Sequence, residues 1–242
     1  MNLFVYETYE SMSARAAESV IEIIRSKKDA VLCTASGDSP AGLYKKMVAY
    51  VQENNIDISS VAFIGLDEWL GMDGSEEGSC RYHLNNQLFH PLDVDEKNIA
   101  FFDGRAIDPE EECKRIDDSI KKHNGIDLAI VGLGMNGHVG MNEPGTSASL
   151  HSHVAEIDPI TQQVGQKYFK EKKEISGGLT LGIANLMEAK NVMLIVSGEK
   201  KAEILKKVLE EEISNQLPAT LLRNHPNFTV FADAEAASLL KK

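Results

Sequence analysis

Short runs of branched apolar residues punctuate the chain at Asp29 to Ala35, Val61 to Leu66, Ile126 to Leu133, Asn191 to Ser197 and Phe228 to Ala232. Near-continuous apolar runs of this length read as strands buried on both faces. Between them, apolar positions recur three and four residues apart, from about Tyr9 to Ser26, Pro40 to Asn54, Pro109 to Lys122 and Lys200 to Glu211. That spacing gives a helix one apolar side. The alternation predicts an α/β fold with a mostly parallel sheet and helices on both faces. No repeat, low-complexity tract or linker interrupts it, and 242 residues suit a single domain over 1–242. Ligands of such sheets gather beyond the carboxyl ends of the strands, so the chemistry is sought in the strand-to-helix loops.

Three of those loops have unusual composition. Thr34-Ala35-Ser36-Gly37-Asp38-Ser39-Pro40 leaves one strand and enters a helix. Ser39 suits an N-cap and Pro40 the first helical position. Gly37 lets the backbone approach a ligand, and free amides at a helix start attract phosphate. The loop is neither a Walker loop nor a dinucleotide loop. Asp67-Glu68-Trp69-Leu70-Gly71 follows the second strand. Its adjacent carboxylates can be solvated or cap a helix. A carboxylate partly desolvated beside an aromatic ring can instead be raised into the range that moves carbon-bound protons. The third loop, Gly132 to Thr146, holds five glycines in all around Asn136, His138, Asn142 and Glu143. So many glycines weaken a helix or strand interior and indicate a shaped loop. His138 exchanges protons near neutral pH, with Glu143 close enough along the loop to orient it.

Charge and cysteine usage narrow the partners. A net charge of −12, with no basic run beyond scattered lysine pairs, disfavours nucleic acid. No stretch approaches the ~18 apolar residues of a membrane span, and the N-terminus lacks the pattern of a signal peptide, so a cytoplasmic protein is expected. Cys33, Cys80 and Cys113 show no metal or redox spacing and read as reduced, structural thiols. His151 and His153, which alternate along a strand, have no carboxylate or cysteine placed to complete a metal site.

Together, Ala35-Ser36-Gly37-Asp38-Ser39-Pro40, Leu66-Asp67-Glu68-Trp69 and Gly134 through Gly145 resemble the glucosamine/galactosamine-6-phosphate deaminase (isomerase) family. The resemblance extends over nearly the whole chain, through Leu179-Thr180-Leu181-Gly182-Ile183 and Ser197-Gly198-Glu199-Lys200-Lys201-Ala202. It implies a modified Rossmann-like fold that converts an aminohexose 6-phosphate to a ketohexose 6-phosphate and ammonia, without metal or organic cofactor, with a homo-oligomer possible. By resemblance Asp67 is the general base, His138 the ring-opening acid/base and Glu143 its supporting carboxylate. Phosphate is expected on Ser36, Gly37, Asp38, Ser39 and Lys201. Lys167 falls where many members have arginine, and a lysine offers a point charge rather than a bidentate fork.

Several positions depart from the family pattern. Asn136 stands where some members have aspartate, which reduces the charge around His138. Asp38 replaces a small residue, and so close to phosphate it would need to point away. Trp69 replaces a tyrosine, and Asp-Glu-Trp leans toward the galactosamine branch. The polar, lysine-rich segment from Ser149 to Lys173 is expected to form a mobile lid. The rival readings are a 6-phosphogluconolactonase, which shares the fold and needs no base at C2, and a sugar-phosphate sensor without turnover.

Overall fold

A computed structural model describes residues 1–169, 175 and 177–241. In chain order the elements are β1 (Asn2–Tyr6), α1 (Tyr9–Ser26), β2 (Val31–Thr34), α2 (Asp38–Glu53), β3 (Ala62–Gly65), β4 (Asp67–Trp69), α3 (Cys80–Leu84), β5 (Ile99–Ala100) and α4 (Pro109–Lys122). There follow β6 (Leu128–Gly132), β7 (His153–Glu156), α5 (Pro159–Gly165), β8 (Gly177–Thr180), α6 (Ile183–Glu188), β9 (Val192–Val196), α7 (Ala202–Glu210) and β10 (Phe228–Asp233). Seven strands form one sheet in the order β1-β10-β9-β6-β2-β3-β5, and every pairing in it is parallel.

Successive residues of a strand point to opposite faces, and here they divide the core in two. Leu32, Phe63, Ile130, Ile195 and Phe231 join the apolar sides of α1, α2 and α3 in one cluster. Their neighbours Cys33, Ile64, Val131, Val196 and Ala232 join α4, α6 and α7 in the other. The expected two-faced, mostly parallel α/β architecture is therefore present.

A second sheet was not foreseen. β4, β8 and β7 form an antiparallel trio in which Asp67 pairs with Thr180 and Trp69 with Gly178. Its strands are three or four residues long, and β8 begins with two glycines. Nothing in their composition marks them as strands. β1 also escaped the pattern, because as a sheet edge it leaves most of its residues exposed.

One helix start differs from expectation. α2 begins at Asp38 with Gly37 as N-cap, at φ +121°, so Ser39 is not the cap and Pro40 not the first helical residue. Glycine adopts that backbone geometry freely, and the turn is made by Gly37 instead of by a side-chain cap. Pro40 still fits, because amides of the first helical turn have no partner within the helix. Among the described residues, no helix is long and apolar enough to cross a membrane. Of the segment expected to form a lid, 170–173 lie outside the described residues.

Candidate active site

The three loops meet at the carboxyl ends of β2, β3 and β6, around a cavity of about 180 Å³. Ser36, Gly37, Asp38 and Ser39 line one end of the chemistry, Asp67 and Trp69 come from β4, and His138 from the glycine loop. Thr161, Lys167 and Tyr168 enter from α5 and the turn after it, and Lys201 from the turn before α7.

The small sheet explains why two adjacent carboxylates have different fates. Alternation along β4 sends Asp67 and Trp69 to the cavity and Glu68 to the opposite side. Glu68 is fully buried and caps the start of α3. Its Oε1 accepts from the amides of Trp69 and Cys80, both at 2.9 Å. Its Oε2 accepts from Ser79 Oγ at 2.7 Å and the Arg81 amide at 3.0 Å. Burial raises both carboxyls: Glu68 against the pull of its hydrogen bonds, and Asp67, which has no such amide cluster, to about 6. The hydrogen bond from Cys80 and attraction to His138 oppose that rise, while Glu68 adds to it.

His138 sits within a hydrogen-bonded frame. Its Nδ1 lies 3.4 Å from Glu143 Oε2 and 3.0 Å from Thr161 Oγ1. Asn136 Nδ2 donates to the same Glu143 oxygen at 2.8 Å, and Asn136 Oδ1 accepts from the His138 amide at 3.2 Å. Burial works against the charge of Glu143, but the neighbouring His138, with Thr161 and Asn136 beside it, outweighs this and holds the carboxyl below its ordinary value. Neither Asn136 nor Glu143 lines the cavity; both stand behind the imidazole. The glycines have a direct use here, since a Cβ on Gly134 would lie 2.4 Å from the His138 ring. The Thr180 hydroxyl accepts from the Met141 amide at 3.1 Å, and Asn142 Nδ2 donates to Leu181 O at 2.9 Å. The loop is thus pinned to the end of β8.

Lys167 and Lys201 face the first loop. Lys167 is ion-paired with Asp38, so the acidic side chain turns to a cation rather than into empty space. Lys201 donates to Leu133 O. Burial, with Lys167 adding repulsion, pushes its pKa down to about 8. Ser39 Oγ lies 3.0 Å from Ser197 Oγ, which ties α2 to the end of β9. Among the described residues no group of three His, Cys, Asp or Glu is arranged to hold a metal; His151 instead pairs with Glu188.

Three residues of the site went unnoticed in the sequence. Thr161 belongs to a polar stretch without a motif, and Tyr168 stands beside Lys167 in the same stretch. Cys80 is buried, and burial with the neighbouring Asp67 and Glu68 pushes its thiol well up. Only a pattern linking it to Glu68 and Ser79 at the start of α3 could have drawn attention to it.

The fold and site define a Rossmann-like α/β protein with a carboxylate, an imidazole and paired lysines around one cavity at the strand ends. Residues 6–231 match the family described as glucosamine-6-phosphate isomerases/6-phosphogluconolactonase, and the chain belongs to it. It is 37% identical over 242 residues to a glucosamine-6-phosphate deaminase of Clostridium perfringens, covering 100% of both chains. A deaminase of the same name from Geobacillus sp. is 37% identical, with 99% of this chain and 96% of the relative covered. Among solved structures, a monomeric glucosamine-6-phosphate deaminase superposes with TM-score 0.96 at 34% identity, covering 99% of this chain and 100% of that one. The 6-phosphogluconolactonase of Trypanosoma brucei shares the fold at TM-score 0.78 and 20% identity, with 99% and 98% covered.

Proposed function

We propose that the protein is a glucosamine-6-phosphate deaminase, converting the amino sugar phosphate and water to a ketohexose 6-phosphate and ammonia. Phosphate is held by the loop Ser36 to Ser39 with Lys167 and Lys201. His138 moves a proton between the anomeric hydroxyl and the ring oxygen, opening the sugar, while Glu143 and Asn136 hold the imidazole. The open aldehyde acidifies the C2 proton, which Asp67 removes and returns to C1. That transfer, with a proton of the ammonium passing to the C1 oxygen, leaves a C1 hydroxyl and an iminium at C2. Water adds there, and collapse of the adduct releases ammonia and forms the ketone. The amine's own positive charge stabilises the electron density that develops at C2.

The observation that carries this reading is Asp67, a cavity-facing carboxylate raised to about 6 across from His138. A base of that strength suits carbon-bound proton transfer near neutral pH. Lactone hydrolysis has no use for it. The full-length relatives at 37% identity support the same choice. The Asp67-Glu68-Trp69 sequence leaned toward galactosamine 6-phosphate, whereas these relatives carry the glucosamine name, and the assignment follows them.

Coupled ammonia release from glucosamine 6-phosphate and galactosamine 6-phosphate, measured side by side, tests the proposal. Turnover of glucosamine 6-phosphate is expected, with galactosamine 6-phosphate the poorer substrate. Positioned proton transfer contributes about 10²- to 10⁴-fold, so Asp67→Asn should lose at least about 10²-fold in kcat. Silence on both sugars, with hydrolysis of 6-phosphogluconolactone by the same sample, would overturn the reading.

A further inference from the structure

We propose that Thr161 is a positioning residue, which ties the seating of the substrate phosphate to the tautomer of His138. The proposal rests on the deaminase reading. Nδ1 of His138 has two oxygens within reach, and Thr161 Oγ1 at 3.0 Å is closer than Glu143 Oε2 at 3.4 Å. Glu143 Oε2 itself takes a hydrogen bond from Asn136 Nδ2 at 2.8 Å. An ionised carboxylate only accepts, whereas a hydroxyl carries one proton and two lone pairs. With the hydroxyl and a carboxylate oxygen both facing it, Nδ1 is the nitrogen that carries the proton: Nδ1–H donates to the threonine oxygen, and no lone pair is set against the carboxylate. A proton fixed on Nδ1 leaves Nε2 as the nitrogen that accepts and returns the proton of ring opening.

The location of Thr161 gives this bond a second meaning. It is buried on α5, and it lines the cavity. Lys167 follows six residues later, in the turn Gln166–Tyr168 that continues α5 directly. The same short element thus carries a cation for phosphate and the hydroxyl that orients His138. Lys167 is paired with Asp38 at the start of α2. A bound phosphate competes for that lysine and holds the element against the first loop, with the hydroxyl kept at Nδ1. Binding energy from the non-reacting end of the substrate is spent on orienting the acid/base group, so it appears in kcat and not only in KM.

Thr161→Val is nearly isosteric and removes only the hydroxyl function, and Thr161→Ser restores it. Imidazole ¹⁵N spectra of wild type and both variants are recorded with and without inorganic phosphate, with His138→Gln assigning the signal. Wild type and Thr161→Ser are expected to hold the Nδ1–H tautomer, more fully with phosphate, and Thr161→Val to mix tautomers whether or not phosphate is present. With a hydrogen bond worth on the order of a factor of ten, kcat of Thr161→Val should fall about 10-fold while KM stays within about twofold. An unchanged His138 tautomer in Thr161→Val, a serine variant that restores nothing, or a rise in KM at constant kcat would each reduce Thr161 to packing. If the wild type releases no ammonia, the deaminase reading fails alone, because the imidazole spectra read the link between phosphate, Thr161 and His138 without turnover.

Discussion

Asp67 gains its basicity at a cost in folding free energy. Its carboxyl is raised to about 6, with burial the main cause, against roughly 3.9 in an unfolded chain. Between those values the native state binds more proton than the unfolded one, so stability falls as pH rises through about 4 to 6, and the full penalty applies above that window. Two units correspond to about 2 to 3 kcal/mol. Asp67→Asn should therefore unfold at higher temperature than wild type at pH 7, with the difference vanishing near pH 4. Equal midpoints at pH 7 would contradict the raised pKa. As the proposed base Asp67 acts in its ionised form, so kcat/KM should decline as pH drops below about 6. The site was legible at this scale wherever chemistry and glycine coincided: His138 and Glu143 stand in a loop that advertises itself. Thr161 and Cys80 were not, since one hydroxyl and one thiol come to lie beside His138 and Asp67 only through folding.

At the scale of elements, the legible parts were those whose two faces are both buried. β2, β3, β6, β9 and β10 are almost wholly buried runs, and α1, α2, α4 and α7 bury one side each. The antiparallel trio was illegible because its order comes from its surroundings: Asp67 to Trp69 form a strand by pairing with β8. One buried charge holds the opposite ends of the main strands. Asp127 accepts from the Val31 amide at 2.8 Å, from Lys27 Nζ at 2.6 Å and from Lys190 Nζ at 2.7 Å. It joins the end of α1 to the starts of β2, β6 and β9. Burial opposes its charge, but the two lysines and the amide outweigh this and lower its pKa. A lowered carboxyl stabilises the fold above its unfolded pKa and loses that contribution as pH falls through the folded value. Asp127→Ala should lose about 2 to 3 kcal/mol at neutral pH, because it strands the buried Val31 amide and removes the carboxylate that Lys27 and Lys190 share. Denaturant titrations are expected to show the gap from wild type closing below about pH 4, and a gap that stayed constant with pH would mean that the charge contributes nothing.

For the whole molecule, the fold does not choose between deaminase and lactonase, since both superpose on it. The choice lies in which side chains reach the cavity. A related question is how a chain of net charge −12 holds an anionic sugar phosphate. Exposed charges separated by more than about 10 Å are largely screened at 0.1 M salt, while those inside the cavity are not. The local cations decide, and both are compromised: Lys167 is shared with Asp38, and Lys201 is pushed down to about 8 by burial and by Lys167. A lysine with a lowered pKa loses its proton as pH rises through that value. KM for the sugar phosphate should therefore climb above about pH 8 as Lys201 becomes neutral, while kcat at saturating substrate changes less. Bound phosphate stabilises the ammonium form, so saturation should move the transition to higher pH. Lys201→Arg separates charge from titration, because a guanidinium stays protonated throughout this range. In that variant the alkaline rise in KM should disappear even if the new side chain fits less well and KM is higher at every pH. A Lys201→Arg profile that kept the wild-type inflection near pH 8 would place the titrating group elsewhere, and Lys201 would then not be the cation that meets the phosphate.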